Sequence, residues 1–330
     1  MGQIIFINPF KKTEITGGIK TTYNHAALLR ELGFDATVFQ PDGPPTWLGP
    51  RFQALTSATF EATERDILVL PETLNGLVAQ IAQTPTPARK VMFCQNHYYL
   101  FYFNITAERY IKLGFTDFLV PSVICKRALE SVQKLTNVSV VPPFIDTEFF
   151  PREKGMSIAT VPRKHAEHAG LPAHAPLLRN MLGLKYPHLS SIPWQFIENM
   201  TSLEIAEIMG CATVFLSLAN MEALGLAALE AMASGCIVVG YRGIGGLEYA
   251  TPENGFWFSP EQLEDIVDAL AAVIEGLGRN DAKLLAMQKA GIATAARFSA
   301  DETKRSLEKV YGGLTVRSKR QPSASGGKPD

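Results

Sequence analysis

The sequence predicts an α/β protein with room for two domains, built of parallel sheets flanked by helices. Three observations carry this. Short apolar runs alternate with stretches of helical periodicity along almost the whole chain, the pattern of strands joined by crossover helices. A length of 330 residues suits two domains of ordinary size. The apolar run T-V-F-L-S-L-A also leads through a glycine-containing loop into helix formers, and these lead into C-I-V-V-G-Y. That is the strand, loop, helix, strand order of one such repeat.

Taken in order, residues 3–8 form a first strand. A loop bearing Gly17 and Gly18 follows, and residues 21–32 have helical periodicity closed by Gly33. Residues 36–40, 67–70, 90–94 and 117–121 are further short apolar strands. Residues 41–50 hold four prolines and two glycines, a composition that excludes regular structure. Residues 138–150 carry a strand and then lead out of the first unit. A strand at 156–161 restarts the pattern, a helical stretch runs to about Lys185, and strands at 194–198, 213–218 and 237–241 continue the second sheet. An amphipathic helix over 260–276 and a largely helical stretch over 281–311 complete it. The boundaries that follow are 1–150 and 151–300, a helix over 301–315, and a polar, Gly- and Ser-containing tail over 316–330 with the composition of disorder.

Composition narrows the function. A hydrophobic content of 46% with 19% charged residues is that of a globular protein. The net charge of −1 supplies no basic field, so nucleic acid is not an expected partner. The four cysteines are scattered, with no C-x-x-C, and lie in or beside apolar runs, as reduced buried thiols do. The first strand follows the N-terminus without a basic segment, and no run approaches 18 apolar residues. The expected location is therefore cytoplasmic, with at most a peripheral position at the inner face of the membrane.

The most informative segment is S-L-A-N-M-E-A-L-G-L-A-A-L-E-A-M-A-S-G, residues 217–235. Gly225 places Glu222 in the loop and Glu230 in the helix, so the two carboxylates face different parts of one ligand. The N–H groups of Leu224, Gly225 and Leu226 would form the open helix N-terminus, an anion seat. Two acceptors for hydroxyls with a phosphate seat between them describe a pocket for a nucleotide sugar. This segment resembles the E-x7-E motif of the retaining glycosyltransferases of family 4, also described as glycosyl transferases group 1. That family adopts the GT-B fold, two Rossmann-like domains facing a cleft. The likeness continues in the strand 236–241 and in G-I-G-G-L-E-Y, residues 243–249, which is similar to the family's glycine-rich turn. Asp146 and Phe150 stand at its D-x-x-x-F position near the hinge.

The resemblance implies roles. Glu230 would hold ribose hydroxyls and Glu222 sugar hydroxyls, while the Leu224, Gly225 and Leu226 amides receive the diphosphate. Gly17 and Gly18 match the family's glycine pair near donor and acceptor; a plain flexible turn is the other reading, and the full G-x-G-x-x-G dinucleotide fingerprint is absent. His97, in a loop beyond a parallel strand, would point at the transferred sugar. Arg163 and Lys164 would neutralise the leaving diphosphate. The family spaces its Arg and Lys four or five residues apart, whereas here they are adjacent, so one of them is expected to reach, with Lys164 favoured. The aromatic run 98–103 either fills a core or faces an acceptor or a lipid surface. The residues between 162 and 194 are fewer than the family norm, which predicts a reduced second sheet. The last helix is expected to cross back onto the first domain.

The resemblance thus implies a retaining transfer from a nucleotide diphosphate sugar, held mainly on the second domain. The acceptor, bound on the first, would be a saccharide, a lipid-linked intermediate or a small molecule. No cofactor is expected, and with no D-x-D motif no metal. Two other classes fit the same residues: a nucleotide-sugar epimerase of the same fold, which would act with no acceptor, and a non-catalytic sugar-nucleotide-binding protein.

Overall fold

The computed structural model describes residues 2–49, 52–56, 60–162 and 174–318. Among them, six strands form a parallel sheet in the order β2-β1-β3-β4-β5-β6: β1 (Ile4–Ile7), β2 (Ala36–Phe39), β3 (Ile67–Pro71), β4 (Arg89–Phe93), β5 (Phe115–Val120) and β6 (Val138–Val140). Five more form a second parallel sheet in the order β8-β7-β9-β10-β11: β7 (Gly155–Thr160), β8 (Trp194–Phe196), β9 (Ala212–Ser217), β10 (Ile237–Tyr241) and β11 (Gly255–Phe258). Each sheet reverses direction beside its own first strand, between β1 and β3 in one and between β7 and β9 in the other. Open α/β sheets bind ligands outside the carboxyl ends of their strands at such reversals. The fold thereby marks two loop clusters for inspection.

The central strands are largely apolar because helices cover both faces of each sheet. Every residue of β1 and of β9 is buried. The helix Leu263–Gly278 shows the complementary pattern, turning Ile266, Val267, Leu270, Val273 and Ile274 inward against the second sheet. The last helix, Ala300–Ser318, packs Leu307, Tyr311 and Leu314 into the core of the first sheet, and the Thr303 hydroxyl donates to the Pro142 carbonyl at 2.9 Å.

Some sequence expectations need correction. The first helix, α1 (Gly17–Glu31), begins four residues earlier than its apolar periodicity shows, because the Thr16 hydroxyl accepts the Ile19 N–H at 3.2 Å and caps it. The Pro- and Gly-rich stretch after β2 contains a 3-10 turn, Thr46–Leu48, steadied by the Trp47 indole donating to the Glu14 carbonyl. Strand β11, only four residues long, lies in G-F-W-F and shows no period of its own. The final helix runs through Ser318 rather than giving way to a tail at 316; residues 319–330 lie outside the described residues.

One buried group makes the fold acid-sensitive. His25 on α1 is fully buried and lies against Phe93, ring centroids 5.0 Å apart, and neither ring nitrogen has a hydrogen-bond partner among the described residues. Burial pushes its pKa down from 6.5 to about 3. Above pH 6.5 the imidazole is neutral in folded and unfolded chains alike and pH changes nothing. Below it, the unfolded chain takes up a proton that the folded chain refuses, so stability falls by about 1.4 kcal/mol per pH unit until the folded group titrates as well. His25→Leu is expected to flatten the dependence of the urea midpoint on pH between 6.5 and 3. An unchanged slope would show that the acid sensitivity arises elsewhere.

Candidate active site

The loops after β1, β4 and β5 of the first sheet meet the loops after β9 and β10 of the second. On the second-sheet side, β9 ends at Ser217, whose hydroxyl donates to the Tyr241 carbonyl at 3.0 Å, and the chain turns into a loop bearing Glu222. Gly225 caps the helix Leu226–Ala233 at φ 82 and ψ 62, a left-handed conformation that costs a side chain about 1–2 kcal/mol. The Tyr249 hydroxyl donates to the Gly225 carbonyl at 3.1 Å. The loop rests on the glycine-rich turn: the Ile244 N–H donates to the Asn220 carbonyl at 2.9 Å, and a Cβ on Gly245 would stand 2.4 Å from the backbone carbonyl of Leu224. Glu222 thus sits in the loop, half-buried, and Glu230 in the helix with its side chain 13% exposed. Leu224 is buried beneath them.

On the first-sheet side, Gly17 and Gly18 form the first turn of α1. A Cβ on Gly17 would meet Leu226 Cδ1 at 3.6 Å, and one on Gly18 would stand 3.1 Å from Gln95 Oε1. His97 is 2% exposed and precedes the short helix Tyr98–Tyr102. Its ring lies 4.1 Å from that of Tyr98, and its Nδ1 has no hydrogen-bond partner among the described residues. The Cys94 thiol, 4.0 Å away, and His97 together draw the Cys125 thiol below its ordinary range. The aromatic run divides: Leu100 is buried, whereas Tyr99, Tyr102 and Phe103 are exposed.

Two residues not singled out in the sequence organise this half. Glu72, one residue past β3, is buried and accepts the N–H groups of Gln95 at 3.2 Å and Asn96 at 2.9 Å. Burial pushes its carboxyl up to about 7 against the pull of those donors. Lys20, on the first turn of α1, reaches Asp146 Oδ2 at 2.7 Å and Glu230 Oε1 at 3.0 Å. Only its position after the glycine pair could have drawn attention to it.

The structure therefore joins the two sets of loops directly. Gly17 opposes Leu226, Lys20 pairs with Glu230, Asn96 Nδ2 donates to the Met221 carbonyl at 3.1 Å, and the Ile124 N–H donates to Glu248 at 2.6 Å. Asn96 and Met221 are the immediate neighbours of His97 and Glu222, so one hydrogen bond sets the register of both candidates. Arg163 and Lys164 lie outside the described residues. Among the described residues, no group of three or more His, Cys, Asp or Glu side chains is placed to hold a metal ion, and no helix is long and apolar enough to cross a membrane.

Residues 192–291 match the family described as glycosyl transferases group 1. A protein of Actinobacillus pleuropneumoniae, an alpha-1,6-glucosyltransferase, is 27% identical over 238 residues, 71% of either chain. Among solved structures, a glycosyltransferase from Rickettsia africae superposes with a TM-score of 0.65 at 14% identity, covering 97% of this chain and 99% of that one. Sucrose-phosphate synthase from Thermosynechococcus elongatus gives 0.66 at 15% identity, covering 96% and 100%. S. aureus TarM, solved in complex with UDP, fondaparinux and alpha-GlcNAc-glycerol, gives 0.57 at 12% identity over 77% of this chain and 56% of its own. The architecture is the GT-B arrangement of two parallel sheets flanked by helices that the sequence predicts.

Proposed function

We propose that the chain is one of the glycosyl transferases group 1, whose family its residues 192–291 match, and that it is a retaining enzyme taking its sugar from a nucleoside diphosphate sugar. The observation that carries the proposal is the meeting of Glu222 and Glu230 with the α1 and His97 loops at the carboxyl ends of both sheets. Glu230 accepts from the ribose hydroxyls and Glu222 from the sugar hydroxyls. The Leu224, Gly225 and Leu226 amides, with Arg163 or Lys164, stabilise the diphosphate as it leaves. His97, whose Nδ1 has no other use among the described residues, faces the sugar. The acceptor hydroxyl adds to the anomeric carbon on the face the phosphate leaves: the new C–O bond forms as the bond to phosphate breaks, and the hydroxyl proton passes to the departing oxygen. No enzyme nucleophile is required.

The sugar most worth testing is glucose with UDP as carrier, because the curated relative is a glucosyltransferase and TarM was solved with UDP. The exposed Tyr99, Tyr102 and Phe103 beside His97 favour an acceptor with an apolar portion, such as a lipid-linked saccharide, and a peripheral membrane contact there. The test is a panel of nucleotide sugars incubated with saccharide and lipid-linked acceptors, the product anomer being read by NMR. Acceptor-dependent release of nucleoside diphosphate with a retained anomer is expected. Conversion of the nucleotide sugar without acceptor would identify an epimerase, and binding without turnover a sugar-nucleotide-binding protein.

A further inference from the structure

We propose that Lys20 is a positioning residue for the donor: it crosses the cleft to aim Glu230, and through Asp146 it ties that carboxylate to the segment after β6. The proposal rests on Glu230 being the ribose ligand. Lys20 follows the glycine pair on the first turn of α1, where the Gly17–Leu226 approach brings the two halves within reach of a four-carbon stem. Its ammonium has three donors. These are matched by Asp146 Oδ2 at 2.7 Å, Glu230 Oε1 at 3.0 Å and Ser202 Oγ at 3.4 Å. The Phe149 ring lies 4.9 Å from Nζ. The three charged side chains are 11%, 5% and 13% exposed, so the cluster is shielded from bulk water.

Lys20 takes one oxygen of Glu230, leaving Oε2 to accept from a ligand hydroxyl. It is also the cation between two carboxylates, and Glu148 stands behind them, its Oε1 accepting from Ser202 Oγ at 3.4 Å. Burial works against the Lys20 charge, but Glu230 and Asp146 outweigh it and raise the ammonium above the ordinary lysine range, so it stays charged at any pH at which the protein works. Without it, Glu230 and Asp146 would face each other at close quarters, and carboxylates sharing a site hold a proton to higher pH. A protonated Glu230 is a poorer acceptor. Lys20 therefore screens the ribose contact from the Asp146 carboxylate, and joins it to a residue 126 positions from the lysine in sequence.

The test titrates the full-length chain with UDP, ADP and GDP, taking forward whichever binds, and compares Lys20→Met, Lys20→Met with Asp146→Asn, and Glu230→Gln with the parent. The variant-to-parent ratio of Kd cancels the titration of the diphosphate itself. For Lys20→Met the ratio is expected near tenfold at about pH 8 and larger at about pH 6, as Glu230 takes up a proton. If that variant does not fold, the double variant, which removes one cation and one anion together, is expected to bind severalfold more weakly than the parent. A folded Lys20→Met protein with parental affinity and pH profile would overturn the proposal, as would parental affinity in the double variant. Should Glu230→Gln lose binding in the same series, the ribose reading would survive that failure. Parental binding by Glu230→Gln would remove the ribose reading itself.

Discussion

Glu230→Ala is expected to weaken nucleoside diphosphate binding by about tenfold to a hundredfold, and Glu222→Ala to spare that affinity while lowering kcat by a similar factor. Both figures follow from the loss of about 1.5–3 kcal/mol for a hydrogen bond to a charged group. The split follows from when each contact is made. Ribose hydroxyls meet Glu230 before and throughout the reaction, so their loss is a uniform binding loss. The sugar changes shape and charge as its bond to phosphate breaks, so a contact at Glu222 tightens toward the transition state and its loss appears in turnover. The fold should survive Glu230→Ala, because Lys20 keeps Asp146 at 2.7 Å and is not left as an isolated buried charge. Titration of the diphosphate and steady-state kinetics on both variants, with melting curves as a control, check this. Parental diphosphate affinity in a folded Glu230→Ala protein would sink the ribose role.

Much of the fold was legible because it is written in short-range pattern. Buried parallel strands are apolar runs, and ten of the eleven described strands fall on runs that the sequence marks. The exception, β11, is four residues of glycine and aromatics beside Tyr249 and the Thr251 turn, too short to show a period. Glu222 and Glu230 were legible for a different reason: a glycine between two carboxylates fixes which lies in the loop and which in the helix. What stayed hidden is long-range. Lys20 gains its meaning from a carboxylate 210 residues away, and in sequence it is one more lysine on a helix. Glu72 likewise reads as a polar strand end, and only the fold shows its carboxyl gathering the N–H groups of Gln95 and Asn96 beneath the His97 loop. The glycine-rich turn was visible as a motif, but its task of supporting the Glu222 loop appears only when its neighbours do.

That task predicts the last result. Gly245→Ala is expected to destabilise the protein by about 1–3 kcal/mol, the range for forcing extra volume into a packed site, and to weaken nucleoside diphosphate binding with it. The new Cβ would stand 2.4 Å from the Leu224 carbonyl carbon and oxygen, and 2.7 Å from its Cα. All three are backbone atoms, so no side-chain rotation relieves the overlap. Either the turn or the Glu222 loop must move, and the loop carries both the carboxylate and the Leu224 amide. Gly246→Ala is the matched control. There the closest atom, 2.9 Å away, is Cγ of Arg242, an exposed side chain that clears the methyl by turning about χ1 with no backbone shift, and the Ala250 Cβ at 3.5 Å is an ordinary contact. The two variants add the same methyl to adjacent residues of one turn and differ in what that methyl meets. Melting temperature and diphosphate affinity should therefore fall together in Gly245→Ala and change little in Gly246→Ala. If both variants melt and bind alike, the turn is not what holds the Glu222 loop in place, and its support must come from the Tyr249 hydroxyl bonded to the Gly225 carbonyl.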